Sequence, residues 1–140
     1  MEEDLGFLFK QISERLCALA NADLIASGIT FSQLQVLGCL WHSGGETSQK
    51  ALERELNVSH AAVAGLVSRL RGNGFAETRT DPGDRRNRLV RATAKAEAFK
   101  QTLDEHRRAN EALLQLGLTP EERETLTRLL GAVLANLSNQ

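Results

Sequence analysis

The sequence predicts a mainly α protein carrying one small β-hairpin, and three observations lead there. Apolar residues recur at steps of three and four over most of the 140 positions, the spacing of amphipathic helices. Glycines and the Asp81-Pro82-Gly83-Asp84 turn punctuate the middle of the chain, with a short β-prone run on either side of that turn. A composition of 41% hydrophobic and 25% charged residues provides one globular core at this length and no room for two independent ones.

The first helix carries Leu5, Leu8, Phe9, Ile12, Leu16, Leu19 and Leu24 and is expected to end near "SGIT". A second runs from about Phe31 to His42 with Leu34, Leu37 and Leu40 on one stripe and Thr30 or Ser32 as its cap, and "SGGE" stops it. "TSQKALEREL" follows as a short helix started by Thr47 or Ser48, and Asn57-Val58 leads to another helix capped by Ser59. The local pattern is helix, short turn, helix.

The helix after Ser59 has its apolar stripe, Val63, Leu66, Val67 and Leu70, on one side only. The other side reads His60, Ala61, Ala64, Gly65, Ser68 and Arg71. Such small and polar residues let a backbone approach a DNA major groove, where alanine methyls meet thymine methyls and Ser, His and Arg bond base edges or phosphates. The same face would equally permit close packing of another helix. "GNGF" ends the helix, and the runs "FAETRT" and "RLVRAT" then flank "DPGDRRN". Pro82 and Gly83 in the middle of the turn predict type II, placing arginines at the tip of a two-stranded projection. A helix-turn-helix followed by an arginine-tipped hairpin is a winged helix-turn-helix, whose wing reaches an adjacent minor groove.

Charge supports this order. The whole chain is formally −1, yet Val58 to Arg91 holds seven arginines, no lysine and three carboxylates, a net of +4 that leaves −5 elsewhere. Arginine forks suit phosphates and base edges better than diffuse ammonium charge does.

The stretch "LVSRLRGNGFAETRTDPGDRRNRLVRAT" resembles the wing signature of the MarR family of bacterial transcriptional regulators, and "TFSQLQVLGCL" is similar to that family's Thr-x-x-Gln helix. Ala92, where the family usually has leucine, and "TAKAEA" depart from the pattern at the wing base. The resemblance implies that Asp84 braces the wing by pairing with arginine and that Arg86 enters the minor groove. Candidate DNA contacts are then Ser59, His60, Ala61, Ala64, Ser68, Arg69 and Arg71 on the recognition helix, with Arg79, Asp84, Arg85, Arg86 and Arg88 on the wing.

Beyond Thr93, an Ala-rich helical segment from about Ala94 to Leu116 precedes Thr119-Pro120-x-Glu122, a capping box with proline at the first helical position. Leu126, Leu130, Val133 and Leu137 of the final helix form the seam of a helix pair. The chain is thus expected to be a single domain. Residues 30–93 form the DNA-binding lobe, and 1–29 and 94–140 supply dimerisation helices, with Leu5, Leu8 and Ile12 at one end and Leu126, Leu130, Val133 and Leu137 at the other. A two-fold homodimer reads a palindromic operator in double-stranded DNA, with half-sites about 34 Å apart. The expected role is a repressor released by a small aromatic or amphipathic ligand, as in many members of the family.

Two other regulatory readings arise from the same chain. Some relatives sense peroxides through a cysteine near the start of the first helix beside tyrosines; Cys17 lies nearer the second helix, and the chain has no tyrosine. The wing could also dock an acidic protein partner without DNA. No metal or cofactor is expected, since Cys39 and His42 have only the distant Glu105-His106 pair for company. An enzyme is not expected either, in the absence of a phosphate loop, H-E-x-x-H or G-x-S-x-G. The acidic start "MEEDLGFLFK" and the lack of a long apolar run predict a cytoplasmic protein with no membrane contact.

Overall fold

A computed structural model describes residues 4–140. Along the chain lie α1 (Leu5–Ser27), α2 (Phe31–His42), β1 (Glu46–Ser48), α3 (Gln49–Leu56), α4 (His60–Gly72), β2 (Ala76–Asp81), β3 (Asp84–Ala92), α5 (Ala94–Leu114) and α6 (Pro120–Ser138). The fold is the expected one, mainly helical with a small antiparallel sheet. It divides into two compact units, with Lys100 ending the first and Gln101 beginning the second.

In the first unit, caps decide where helices begin. Asp4 accepts from Phe7 N–H at the start of α1, and Thr30 and Gln33 form a reciprocal capping box on α2. The hydroxyls of Ser48 and Ser59 accept from Ala51 and Ala62 N–H groups to start α3 and α4. Gly28 closes α1 in the left-handed region (φ 73°), with Ile29 N–H bonding Leu24 O at 3.2 Å; a side chain there would be strained. α2, α3 and α4 then turn their apolar stripes to a common core, whereas α1 buries only Leu24. Val36, Leu37 and Leu40 of α2, Leu52 of α3, Val63, Val67 and Leu70 of α4, and Val90 of β3 are buried together. Burying each such leucine is worth about 1.5–3 kcal/mol. The core reaches into the flanking helices: Leu24 and Ala96 are buried, and the Phe99 ring stands 5.8 Å from that of Phe75, edge to face.

Three details of the wing differ from the sequence expectation. The sheet has three strands, in the order β1-β3-β2, because Glu46, Thr47 and Ser48 pair antiparallel with Arg91, Val90 and Leu89. β3 begins at Asp84, so Arg85 and Arg86 are strand residues and only Pro82 and Gly83 bridge the hairpin. The turn is not type II, since Gly83 is not among the glycines with positive φ. Instead, the Asp81 carboxylate accepts from Gly83 N–H at 2.9 Å, a side-chain-closed turn at a register shift between Thr80 and Asp81. At the wing base, Thr93 Oγ1 donates to Gly74 O at 2.6 Å and Lys95 Nζ to Asn73 O at 2.7 Å.

The second unit holds the rest of α5 and α6. Thr119 Oγ1 accepts from Glu122 N–H at 3.1 Å while Thr119 N–H bonds the Glu122 carboxylate at 3.0 Å, with Pro120 first in the helix as expected. The bond from the Thr119 backbone holds the Glu122 carboxyl below its ordinary range. Thr119→Ala is expected to lower unfolding free energy by about 1 kcal/mol in a urea melt at neutral pH. The Glu122 contribution is present above the ordinary carboxylate pKa and is lost as pH falls through its lowered value; the backbone bond behind it survives in the variant and the lost hydroxyl cap does not titrate, so most of the difference between variant and wild type should persist in acid. An unchanged urea midpoint at neutral pH would show that the cap carries nothing.

Candidate nucleic-acid interface

The tight connection Asn57-Val58-Ser59 sets α4 across α3. Asn57 takes a left-handed conformation (φ 52°) and Val58 N–H bonds Glu53 O at 3.2 Å, which reverses the chain within three residues. α4 then offers two different sides. Val63, Val67 and Leu70 enter the core, while His60, Ala64, Ser68 and Arg71, spaced by four, four and three, share the opposite stripe.

That stripe is one wall of an open groove of about 420 Å³. The wing supplies Arg86, Asn87, Arg88 and Thr78 as the second wall, and α3 closes the end with Gln49, Lys50 and Glu53. The fold therefore brings together six of the residues expected to touch DNA: His60, Ala64, Ser68, Arg71, Arg86 and Arg88. The others stand outside this groove. Ser59 is engaged as the α4 cap, and Ala61 and Arg69 are exposed elsewhere on the helix. Gln49, Lys50, Glu53, Thr78 and Asn87 are groove residues that sequence reasoning missed. Lys50 had a visible signal, a cation at the second position of the first helix of the pair; the other four are placed only by folding.

The arginines divide into two classes. Arg79 makes a bidentate pair with Glu46, Nε to Oε2 at 3.0 Å and Nη2 to Oε1 at 2.8 Å. These hydrogen bonds hold the Glu46 carboxyl below its ordinary range. Arg91 pairs with Glu77 at 2.7 Å. Both pairs lash the sheet across its strands, so Arg79 is committed to the wing's own structure. Arg85, Arg86 and Arg88 are exposed and enter no ion pair among the described residues. Among the described residues Asp84 pairs with no arginine side chain: its Oδ1 accepts from the backbone N–H of Arg86 at 3.0 Å. Asp81 does the complementary work, holding Gly83 N–H and, at 3.2 Å, Asn87 Nδ2. Two aspartates fix the wing backbone from either side of the turn, leaving the guanidinium of Arg86 to reach outward.

The cysteines offer less chemistry. Cys39 is pushed up to about 11 by burial and by its hydrogen bond to Glu55, which keeps it a protonated thiol. Cys17 is exposed on α1. Among the described residues no three His, Cys, Asp or Glu side chains converge as a metal site would require. No single described helix is long and apolar enough to cross a membrane.

Comparison with known proteins agrees with this geometry. The family model described as "MarR family" matches residues 27–87, which contain the helix pair and most of the wing. The multiple antibiotic resistance protein MarR of Salmonella typhimurium is 30% identical over 133 residues, covering 93% of this chain and 90% of its own. The HTH-type transcriptional repressor NicR of Pseudomonas putida is 26% identical over 137 residues, covering 98% of this chain and 86% of its own. Among solved structures, the S. aureus MepR–DNA complex superposes with a TM-score of 0.83 at 23% identity, over 94% of this chain and 98% of that one. Members of the family regulate transcription rather than catalyse reactions. With the helix pair, the three-stranded wing and these relatives in agreement, the chain belongs to the MarR family of DNA-binding transcriptional regulators.

Proposed function

We propose that the chain acts as a homodimeric repressor that grips an inverted repeat in duplex DNA and is released by a small ligand. The observation that carries the reading is the groove between α4 and the wing. One wall is the small and polar stripe of a helix and the other holds outward arginines without carboxylate partners among the described residues, a shape and charge suited to a DNA edge. α4 would sit in a major groove, with Arg86 in the neighbouring minor groove. The homodimer is supported by α6, in which no residue is buried although Leu126, Leu129, Leu130, Leu134 and Leu137 are apolar. Helices of this length depend on tertiary packing, and a second copy supplies it. NicR's name supports repression as the outcome.

For the ligand, a shallow, largely apolar pocket of about 420 Å³ lies where α1 meets α2, lined by Asn21, Leu24, Ile25 and residues 28–31. Its size and lining suit a small amphipathic or aromatic molecule, and a coupling of about 1–3 kcal/mol would release an operator. A DNA-binding role fits a cytoplasmic protein. The alternative of an acidic protein partner has less support, since the small-residue helix face and the exposed arginines line one groove and offer no large apolar or aromatic anchor.

The test is a fluorescence-anisotropy titration on the intergenic duplex upstream of the protein's own gene, across a salt series with scrambled duplex as competitor. Sequence-selective binding is expected, with a log–log salt slope near −0.9 for each phosphate neutralised. Binding that is absent, or indifferent to salt and sequence, would overturn the reading.

A further inference from the structure

The DNA-facing groove is lined by the cations Lys50, Arg71, Arg86 and Arg88, yet it also holds one carboxylate, Glu53. An acid facing phosphates weakens binding, so its presence calls for a compensating role. Its partner is on the page. Glu53 Oε1 lies 3.2 Å from His60 Nδ1, with the Glu53 side chain 20% and the His60 side chain 77% exposed. The turn at Asn57 and Val58 returns the chain so that the first residue of α4 lands on an acid seven positions earlier in α3. A carboxylate only accepts, so Nδ1–H donates to it; in a neutral imidazole the Nδ1–H tautomer leaves Nε2 as the acceptor.

We infer that Glu53 is a specificity-determining positioning residue: it turns His60 so that Nε2 meets the exocyclic amino group of adenine or cytosine in the major groove. His60 opens the recognition helix, where side chains reach base edges. Adenine N6 and cytosine N4 are the amino donors exposed there, whereas guanine and thymine present oxygen acceptors that Nε2 rejects. The acid is tolerated among phosphates because orientation of its neighbour adds base discrimination. This rests on the DNA reading above.

The test selects bound duplexes from a randomised pool and sequences them, using the full-length protein and its His60→Ala, Glu53→Leu, Glu53→Ala, Glu53→Gln and Glu53→Leu/His60→Ala variants, each checked by thermal unfolding. Wild type is expected to select an inverted repeat with adenine or cytosine at one half-site position that His60→Ala relaxes. Glu53→Leu and Glu53→Ala should relax that same position about tenfold and no other, and the double variant should relax it no further than His60→Ala alone. Glu53→Gln, whose amide oxygen still accepts from Nδ1–H, should keep the preference, which makes the accepting oxygen and not the negative charge the group that positions the ring. Retention of the preference by a folded Glu53→Leu or Glu53→Ala overturns the inference, as does guanine or thymine at the His60 position or a Glu53→Gln that behaves like Glu53→Leu. A wild type that selects a repeat while these variants fail to change it leaves the DNA reading standing; a wild type that selects nothing removes both.

Discussion

Leu130→Asp is expected to convert the protein from dimer to monomer at micromolar concentration, and to abolish tight operator binding with it. Leu130 is 43% exposed at the centre of α6, with Leu126 and Leu134 one turn to either side. No residue of α6 is buried by the chain itself, and its leucine stripe is the surface a partner would cover. Each leucine taken from water contributes about 1.5–3 kcal/mol, and a carboxylate in their midst adds a desolvation cost of several kcal/mol per protomer. The core of the DNA-binding lobe draws on α1 to α5 and the sheet, so the variant should keep its circular dichroism while its mass in analytical ultracentrifugation halves. Operator affinity should fall by at least two orders of magnitude, because a single lobe engages one half-site and the second no longer binds at high effective concentration. A folded, stable dimer of Leu130→Asp would remove α6 from the interface.

Arg86→Ala carries the second large effect, an expected loss of about tenfold in operator affinity per protomer and roughly a hundredfold for the dimer. Arg86 is exposed and lines the groove, with its backbone N–H fixed by Asp84 at 3.0 Å and, among the described residues, no carboxylate on its guanidinium. Removing the side chain takes away a cation but leaves the bond that shapes the strand, so fold and dimer should survive. The log–log salt slope should become shallower by about 0.9 per protomer if the arginine neutralises one phosphate. Arg79→Ala makes a sharp contrast, since its guanidinium is already held by Glu46; its effect should come through a loosened wing. Anisotropy titrations of both variants check this, and an Arg86→Ala protein of full affinity at physiological salt would take the wing tip out of recognition.

Much of this architecture was legible from the chain itself, because it is set by neighbours. Thr30 with Gln33 and Thr119 with Glu122 announce helix starts by contacts three residues apart. The stripe of Val63, Val67 and Leu70 announces which side of α4 is buried. Other features were hidden for equally definite reasons. β1 is three residues long, too short for an alternating pattern, and it exists because Val90, more than forty positions later, pairs with Thr47. Pro82-Gly83 suggested a positive φ, but the Asp81 side chain closed the turn in another way.

Sequence alone determined the helix pair, the basic wing, the apolar seams at the two ends of the chain and the resemblance to a regulator family, since helical period, caps and charge are local properties. Only the tertiary structure decided how the charges are spent. Arg79 and Arg91 look identical in sequence to Arg86 and Arg88, and the difference is that Glu46 and Glu77 reach the first two across the strands. His60 and Glu53 likewise belong to separate helices, and only the left-handed turn at Asn57 brings them within 3.2 Å. A polar pairing depends on distance in space, which a sequence separation of seven or of thirty-three does not reveal until the chain has folded.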